Sequence, residues 1–284
     1  MRGAAEGEPS QKNPKMAHRE RRDPEGVELT ADSPLLISAR SLTKVYEGTK
    51  GQRVLALEAA SFDVNQGEFV TLVGPSGCGK STLLRLISGL QRATAGELHI
   101  DGKKVDGPVN VGMVFQTPVL MPWMSVLANI LLPIEIRKLD KAEGRTEALE
   151  LIQLLGLAGF EQAYPFELSG GMQSRVAIGR ALIHKPKLLL MDEPFGSLDA
   201  FTRESMGVEL LRVWEKYKKT VVFVTHDISE AVFLADKVVV LTARPGRVSR
   251  IMQIDLERPR TAATRSSSAF ARYTYEIRSE LGLE

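Results

Sequence analysis

From about residue 35 onward, apolar and polar positions alternate in short runs that predict strands at 35–39, 60–64, 68–73 and 97–100. The last of these is followed by Asp101-Gly102, a hairpin signal. Between 125 and 160 the period changes. Leu149, Ile152 and Leu155 recur at helical spacing, with Glu147, Glu150 and Gln153 distributed between them. Further on, predicted strands at 187–191, 220–225 and 237–241 alternate with predicted helices at 200–217 and 228–235. Strand and helix in alternation imply an α/β fold whose parallel sheet is covered on both faces. Beyond 243 the chain reads as Arg-rich and irregular, with a short amphipathic ending at 273–283. No internal repeat is visible.

Composition narrows the classes without choosing one. Among 284 residues, 43% are hydrophobic and 25% charged, which excludes wholesale disorder and a multi-span membrane protein. The 37 basic and 35 acidic residues leave a net charge of +2, so no nucleic-acid partner is expected. Cys78, the only cysteine, excludes an intrachain disulfide. Residues 1–34 mix acids, bases, Gly, Pro and Ser without the apolar core of a secretory signal, and read as a flexible tail. The most apolar stretch, 119–136, is long enough to cross a bilayer. It is interrupted by Pro122, Ser125, Asn129, Pro133 and Glu135, so it reads as a buried or partner-facing helical segment.

Chemistry enters at Gly74-Pro75-Ser76-Gly77-Cys78-Gly79-Lys80-Ser81, which matches G-x4-G-K-[ST] between the apolar run 68–73 and a predicted helix at 81–88. Glycines there permit positive φ, so successive N–H groups can surround phosphate oxygens at a positive helix end. Lys80 adds a point charge near the β and γ phosphates, the Ser81 hydroxyl can ligate Mg²⁺, and Thr82 adjoins them among the nucleotide-binding residues. Such a P-loop alone fits kinases, GTPases and ATPases alike. A continuous apolar run at 188–191 ends in Asp192-Glu193, and open α/β sheets bind ligands at that C-terminal strand edge. Gln116, after 111–115, and His226, after 221–225, should reach the same edge. Asp192 then holds Mg²⁺ directly or through water, and Glu193 orients and deprotonates the attacking water. Gln116 touches metal and nucleophile; His226 reports the γ-phosphate. Singly, Gln116 reads as a surface amide and His226 as a structural histidine, and their convergence is what favours the site. His18, His99 and His184 receive no role.

Leu168-Ser169-Gly170-Gly171-Met172 precedes a predicted helix at 173–183 and forms a second glycine-rich helix start, although one nucleotide does not need two cradles from one chain. With the order cradle, Gln116, 168–172, Asp192-Glu193, Ser197-Leu198-Asp199 and His226, the chain resembles the nucleotide-binding subunit of an ABC transporter over about 35–250. The resemblance implies a RecA-like P-loop NTPase core with an antiparallel β subdomain and an inserted helical subdomain at about 117–175. Residues 1–34 and 251–284 then stand outside the domain as tail and extension. It implies ATP and Mg²⁺ as cofactors and a head-to-tail homodimer, in which Ser169, Gly170 and Gly171 bind the γ-phosphate of the opposite subunit. It implies that Asp199 lies at the dimer seam and that Tyr46 stacks on adenine, an exposed hairpin tyrosine being the alternative. One departure is visible: Met172 stands where family members often have Gln, and Gln173 follows.

The resemblance further implies a motor bound peripherally at the cytoplasmic face of the inner membrane, working on separate permease subunits and, indirectly, a solute-binding protein. Residues 118–129, with Met121, Trp123 and Met124, make a socket for a permease helix or else fill the helical subdomain. Segments 164–169, 192–203 and 241–247 look like the importer branch for nitrate, sulfonate and taurine, with an exporter motor for drugs or lipids as the alternative. The arginines at 244–260 read as a solvated tail, with anionic lipid as the other reading.

Overall fold

The computed structural model describes residues 34–48 and 51–283, so the tail expected at 1–34 lies almost wholly outside the described residues. An antiparallel sheet of β1 (Leu35–Glu47), β2 (Arg53–Asn65), β4 (Ala95–Ile100) and β5 (Lys103–Lys104) has the order β2-β1-β4-β5. Both long strands outrun their predicted lengths. The β1–β2 register shifts between Ala39 and Leu42, and Ser41 and Ala59 both take positive φ, 49° each. A bulge of this kind changes which face the following residues occupy, so the two-residue alternation breaks while the strand continues.

The second sheet holds β3 (Phe69–Val73), β6 (Gly112–Val114), β7 (Leu188–Asp192), β8 (Thr220–Val224), β9 (Lys237–Leu241) and β10 (Val248–Gln253). Its order is β10-β9-β3-β8-β7-β6, with β10 the antiparallel edge and the rest parallel. Every residue of β3, β8 and β9 is buried. Their largely apolar runs, with Thr71 the one polar residue inside them, follow from being covered on both faces.

Two cores share these strands at a period of two. Phe69, Val221, Phe223 and Val238 face a core with Trp214, and Val70, Leu72, Val222 and Val239 face another with Leu83, Ile87 and the antiparallel sheet. Phe69 lies edge-on to Trp214 with ring centroids 6.0 Å apart. Each fully buried side chain of this size contributes about 1.5–3 kcal/mol.

Eight helices appear among the described residues: α1 (Lys80–Ile87), α2 (Val126–Ile136), α3 (Lys141–Leu154), α4 (Gly170–Leu182), α5 (Ala200–Tyr217), α6 (Ile228–Leu234), α7 (Ala262–Arg265) and α8 (Ser268–Glu280). The helical signal at 125–160 resolves into α2 and α3, because Asp140 accepts from the Glu143 N–H and begins a new helix there. Both pack with α4, which forms the helical subdomain. None of the described helices is long and apolar enough to cross a membrane.

The C-terminal part departs from its reading. The expected boundary after residue 250 falls inside β10, and α8 begins at Ser268 rather than near 273. Arg244, Arg247 and Arg250 are exposed, but the last two arginines of this region, Arg258 and Arg260, are not a solvated tail. Arg258 donates to Asp236 Oδ1 at 2.8 Å and lies 4.1 Å from the Trp214 ring centre. Arg260, 3% exposed, donates to the Phe233 and Ala235 carbonyls at 2.9 and 2.7 Å. Those carbonyls end α6 and lack helical partners, a place a guanidinium fork fits.

Candidate functional site

The P-loop turns sharply between β3 and α1 because Gly77 and Gly79 take φ of 75° and 101°, with Gly79 as the N-cap of α1. Buried Lys80 folds back across the loop, donating from Nζ to the Gly74 and Pro75 carbonyls at 2.8 and 3.0 Å. Cys78 is buried, and burial pushes its thiol up, so the helix start does not make it a thiolate. Thr82 Oγ1 lies 3.2 Å from the Tyr46 hydroxyl, which donates to Gln91 Oε1 at 2.6 Å. Tyr46 therefore belongs to the end of β1 and is tied to α1, rather than standing free in a hairpin.

A distant segment supports this loop. The Gly246 N–H donates to the Ala56 carbonyl at 3.0 Å, and the Gly246 carbonyl accepts from Glu58 at 2.9 Å. A Cβ at Gly246 would overlap the carbonyl oxygen of Cys78. Gly246→Ala is therefore expected to lower stability by about 1–3 kcal/mol and to weaken ATP binding, read from urea midpoints and nucleotide titration.

Ser81 Oγ donates to Asp192 Oδ1 at 2.9 Å, so α1 and β7 bring two hard oxygen ligands together. Burial first, then the Glu193 charge, pushes the Asp192 carboxyl above its ordinary range. A cation at this point would offset both effects. Among the described residues no group of three His, Cys, Asp or Glu side chains forms a metal cage. The donor set present, the Ser81 hydroxyl and the Asp192 carboxylate, fits Mg²⁺, which takes one or two protein oxygens and completes its shell with phosphate and water.

Register explains the rest of the edge. Asp192 pairs with Val224 across β7–β8, and the Glu193 N–H donates to the Val224 carbonyl at 3.0 Å. Glu193 then turns at φ 46°, a left-handed position that costs a side-chain residue about 1–3 kcal/mol. The turn sets Glu193 Oε2 2.9 Å from His226 Nδ1; Glu193 is 19% exposed and His226 55%. Val114 pairs with Met191 at the end of β6, so exposed Gln116 leaves the sheet at the same edge.

Ser169, Gly170 and Gly171 gather elsewhere, at the start of α4. Ser169 caps it, accepting from the Met172 N–H at 3.3 Å, and both Ser169 and Gly170 are exposed. A Cβ added at Gly170 or Gly171 would meet Leu198 or Thr202 rather than an atom of the P-loop. Asp199, also exposed, caps α5 by accepting from the Thr202 N–H at 3.0 Å, which lowers its carboxyl from the ordinary range. The Met172-Gln173 departure has a structural outcome. Met172 packs on the core, while Gln173 Nε2 donates to the Pro165 and Leu168 carbonyls at 2.9 and 3.3 Å and braces the segment before α4. Gln173 and Gly246 were both missed as site residues, and nothing local to either position signals its partner.

Comparison with known proteins gives the family. The ABC transporter family model matches residues 57–196. An ABC transporter ATP-binding protein of Methanocaldococcus jannaschii is 51% identical over 242 residues, covering 85% of this chain and 89% of that one. An aliphatic sulfonates import ATP-binding protein of Bacillus thuringiensis subsp. konkukian is 42% identical over 233 residues, covering 82% and 91%. A dimeric ATP-binding cassette in a post-hydrolysis state, bound to ADP and Pi, superposes with TM-score 0.67 at 34% identity, covering 77% of this chain and 99% of that one. With a P-loop, a paired Ser81–Asp192 and a Glu193–His226 contact on one sheet edge, the chain belongs to the ABC transporter family as an ATP-binding subunit that hydrolyses ATP.

Proposed function

We propose that this ATPase drives an importer of a small anion such as a sulfonate, nitrate or taurine, and that two copies close head to tail on two ATP molecules. The observation that carries the dimer is the exposed start of α4, where Ser169 and Gly170 offer a phosphate cradle packed beside Leu198 and Thr202. The dimeric cassette at TM-score 0.67 supports it, and the 42% identical sulfonate importer subunit supports the cargo class.

Within one subunit, Lys80 and the loop N–H groups bind the triphosphate, and Ser81, Asp192 and Gln116 would hold Mg²⁺. When bound, that ion neutralises phosphate charge. Glu193 orients the attacking water and takes its proton. His226 turns Nδ1 toward Glu193, which leaves the far ring nitrogen for the γ-phosphate. Tyr46 offers a ring for adenine, and Asp199 lies on the surface that faces the second copy.

Permease subunits dock on the loop after Gln116. Trp123 is 72% exposed, against its alternative as subdomain filling. Asn129 is fully buried and holds the loop in place: it accepts from the Met121 N–H at 2.8 Å and donates to the Met124 carbonyl at 2.8 Å. Docking there would place the chain peripherally at the cytoplasmic face of the inner membrane. Trp123→Ala is expected to leave hydrolysis by the isolated chain within about twofold while removing most permease-dependent stimulation and uptake. Equal loss of both rates would return Trp123 to a packing role. The cargo is tested by reconstituting the subunit with its permease and binding protein in vesicles. Accumulation of sulfonate, nitrate or taurine supports the reading, and outward movement of a lipid or drug overturns it.

A further inference from the structure

Two of the groups assigned to hydrolysis sit on separate loops: 193–199 carries Glu193, and the turn after β8 carries His226. A side chain outside the two loops touches both. Arg203, in the first turns of α5 and 22% exposed, donates from Nε to the Phe195 carbonyl at 3.3 Å and from Nη2 to the Leu198 carbonyl at 3.0 Å. Its Nη1 donates to Asp227 Oδ2 at 3.3 Å. Asp227 is itself held from two more sides. Its Oδ1 accepts from the Glu230 N–H at 3.0 Å and caps α6, and its own N–H donates to Thr225 Oγ1 at 3.0 Å. His226 lies between these anchored neighbours.

Two further ionisable groups pack around this turn. Glu230 is 6% exposed with Oε1 unpartnered, and burial pushes it up to about 7. From the opposite side, Arg265 of α7 donates to Ser229 Oγ at 3.2 Å and stacks 4.0 Å from the Phe233 ring centre. Arg203 is the guanidinium that reaches both hydrolytic loops. Its planar fork serves two carbonyls and a carboxylate from three separate nitrogens, a spread that the single nitrogen of a lysine does not offer.

We propose that Arg203 is a positioning residue for ATP hydrolysis, locking the Glu193 loop to the His226 turn so that Glu193 Oε2 and His226 Nδ1 meet. The proposal rests on the reading of Glu193 and His226 as hydrolytic groups. It assigns Arg203 no contact with nucleotide. Its loss should therefore slow turnover while nucleotide binding persists.

The test uses the full chain and compares steady-state ATPase, ATP binding and thermal midpoint. Arg203→Ala is expected to lower kcat about tenfold or more, with KM within about twofold and a midpoint within a few degrees. Arg203→Lys, which keeps the charge, should restore less than half of that loss. Asp227→Asn preserves the α6 cap but cuts the ion pair, and the double variant Arg203→Ala/Asp227→Asn should be no slower than the slower single one. Unchanged kcat, costs that multiply independently, or a rise in KM at constant kcat would overturn the proposal. If Arg203→Ala does not fold, the lysine variant decides, and a folded, fully active Arg203→Lys protein overturns it. Glu193→Gln run alongside separates the two levels. If it still turns over, the reading of the site fails. If it is inactive while Arg203→Ala is fast, only the positioning role fails.

Discussion

Glu193→Gln is expected to bind ATP normally and to lose turnover by about 10²–10⁴-fold, the range that a positioned general base contributes. The substitution keeps the size of the side chain and the backbone turn at φ 46°, and leaves an oxygen able to accept from His226. What it removes is the proton acceptor. ATP that binds without being consumed should hold the closed pair of subunits together. Size-exclusion chromatography with ATP, without added magnesium, should show the variant shift to a dimer, whereas nucleotide-free protein should not. A variant that elutes only as a monomer while saturated with ATP would contradict the composite site. A variant that hydrolyses at the native rate would remove Glu193 from the chemistry.

Lys80→Ala should fail one step earlier, at binding, with affinity for ATP reduced about 100-fold or more, roughly 2.7 kcal/mol. Without nucleotide, Nζ sits 2.8 Å from the Gly74 carbonyl and 3.0 Å from that of Pro75. The ammonium is thus stored within the loop and already close to where phosphate would enter. Alanine leaves those carbonyls without their donor and takes away the cation that answers the triphosphate. Calorimetric titration of the two variants side by side should separate them: Glu193→Gln retains the binding isotherm and Lys80→Ala loses it. Normal binding by Lys80→Ala would show that the backbone amides suffice.

The parts of the site that were legible in the sequence are those whose chemistry is contiguous. The segments 74–81, 168–172 and 192–193 each carry their glycines, hydroxyl or carboxylates within a few residues, and each stands at a strand or helix end that periodicity marks. The apolar runs of β3, β7, β8 and β9 were legible for a related reason, since a strand buried on both faces has almost no polar position to confuse its pattern. The bulges in β1 and β2 were not, because a bulge reverses the face rule in mid-strand.

The misreadings share one cause, which is a partner far away along the chain. Arg260 looked like a solvated charge until the fold set it against the last carbonyls of α6. Asn129 entered only as a polar interruption of an apolar stretch, yet its buried amide shapes the loop that displays Trp123. Gly246 and Arg203 carried no signal, since close approach to Cys78 and simultaneous contact with Phe195, Leu198 and Asp227 exist only after folding.

By itself, the order of residues determined the phosphate cradle, the carboxylates at a strand end, the α/β class and the second glycine-rich helix start, because these depend on neighbours within one turn or one strand. Tertiary structure alone decided which side chains meet. It paired Ser81 with Asp192 and Glu193 with His226, built Arg258 and Arg260 into the domain, and left the start of α4 exposed beside Leu198 and Thr202. The physical reason is that hydrogen bonds and ion pairs act over a few ångströms of space, whatever the separation along the chain.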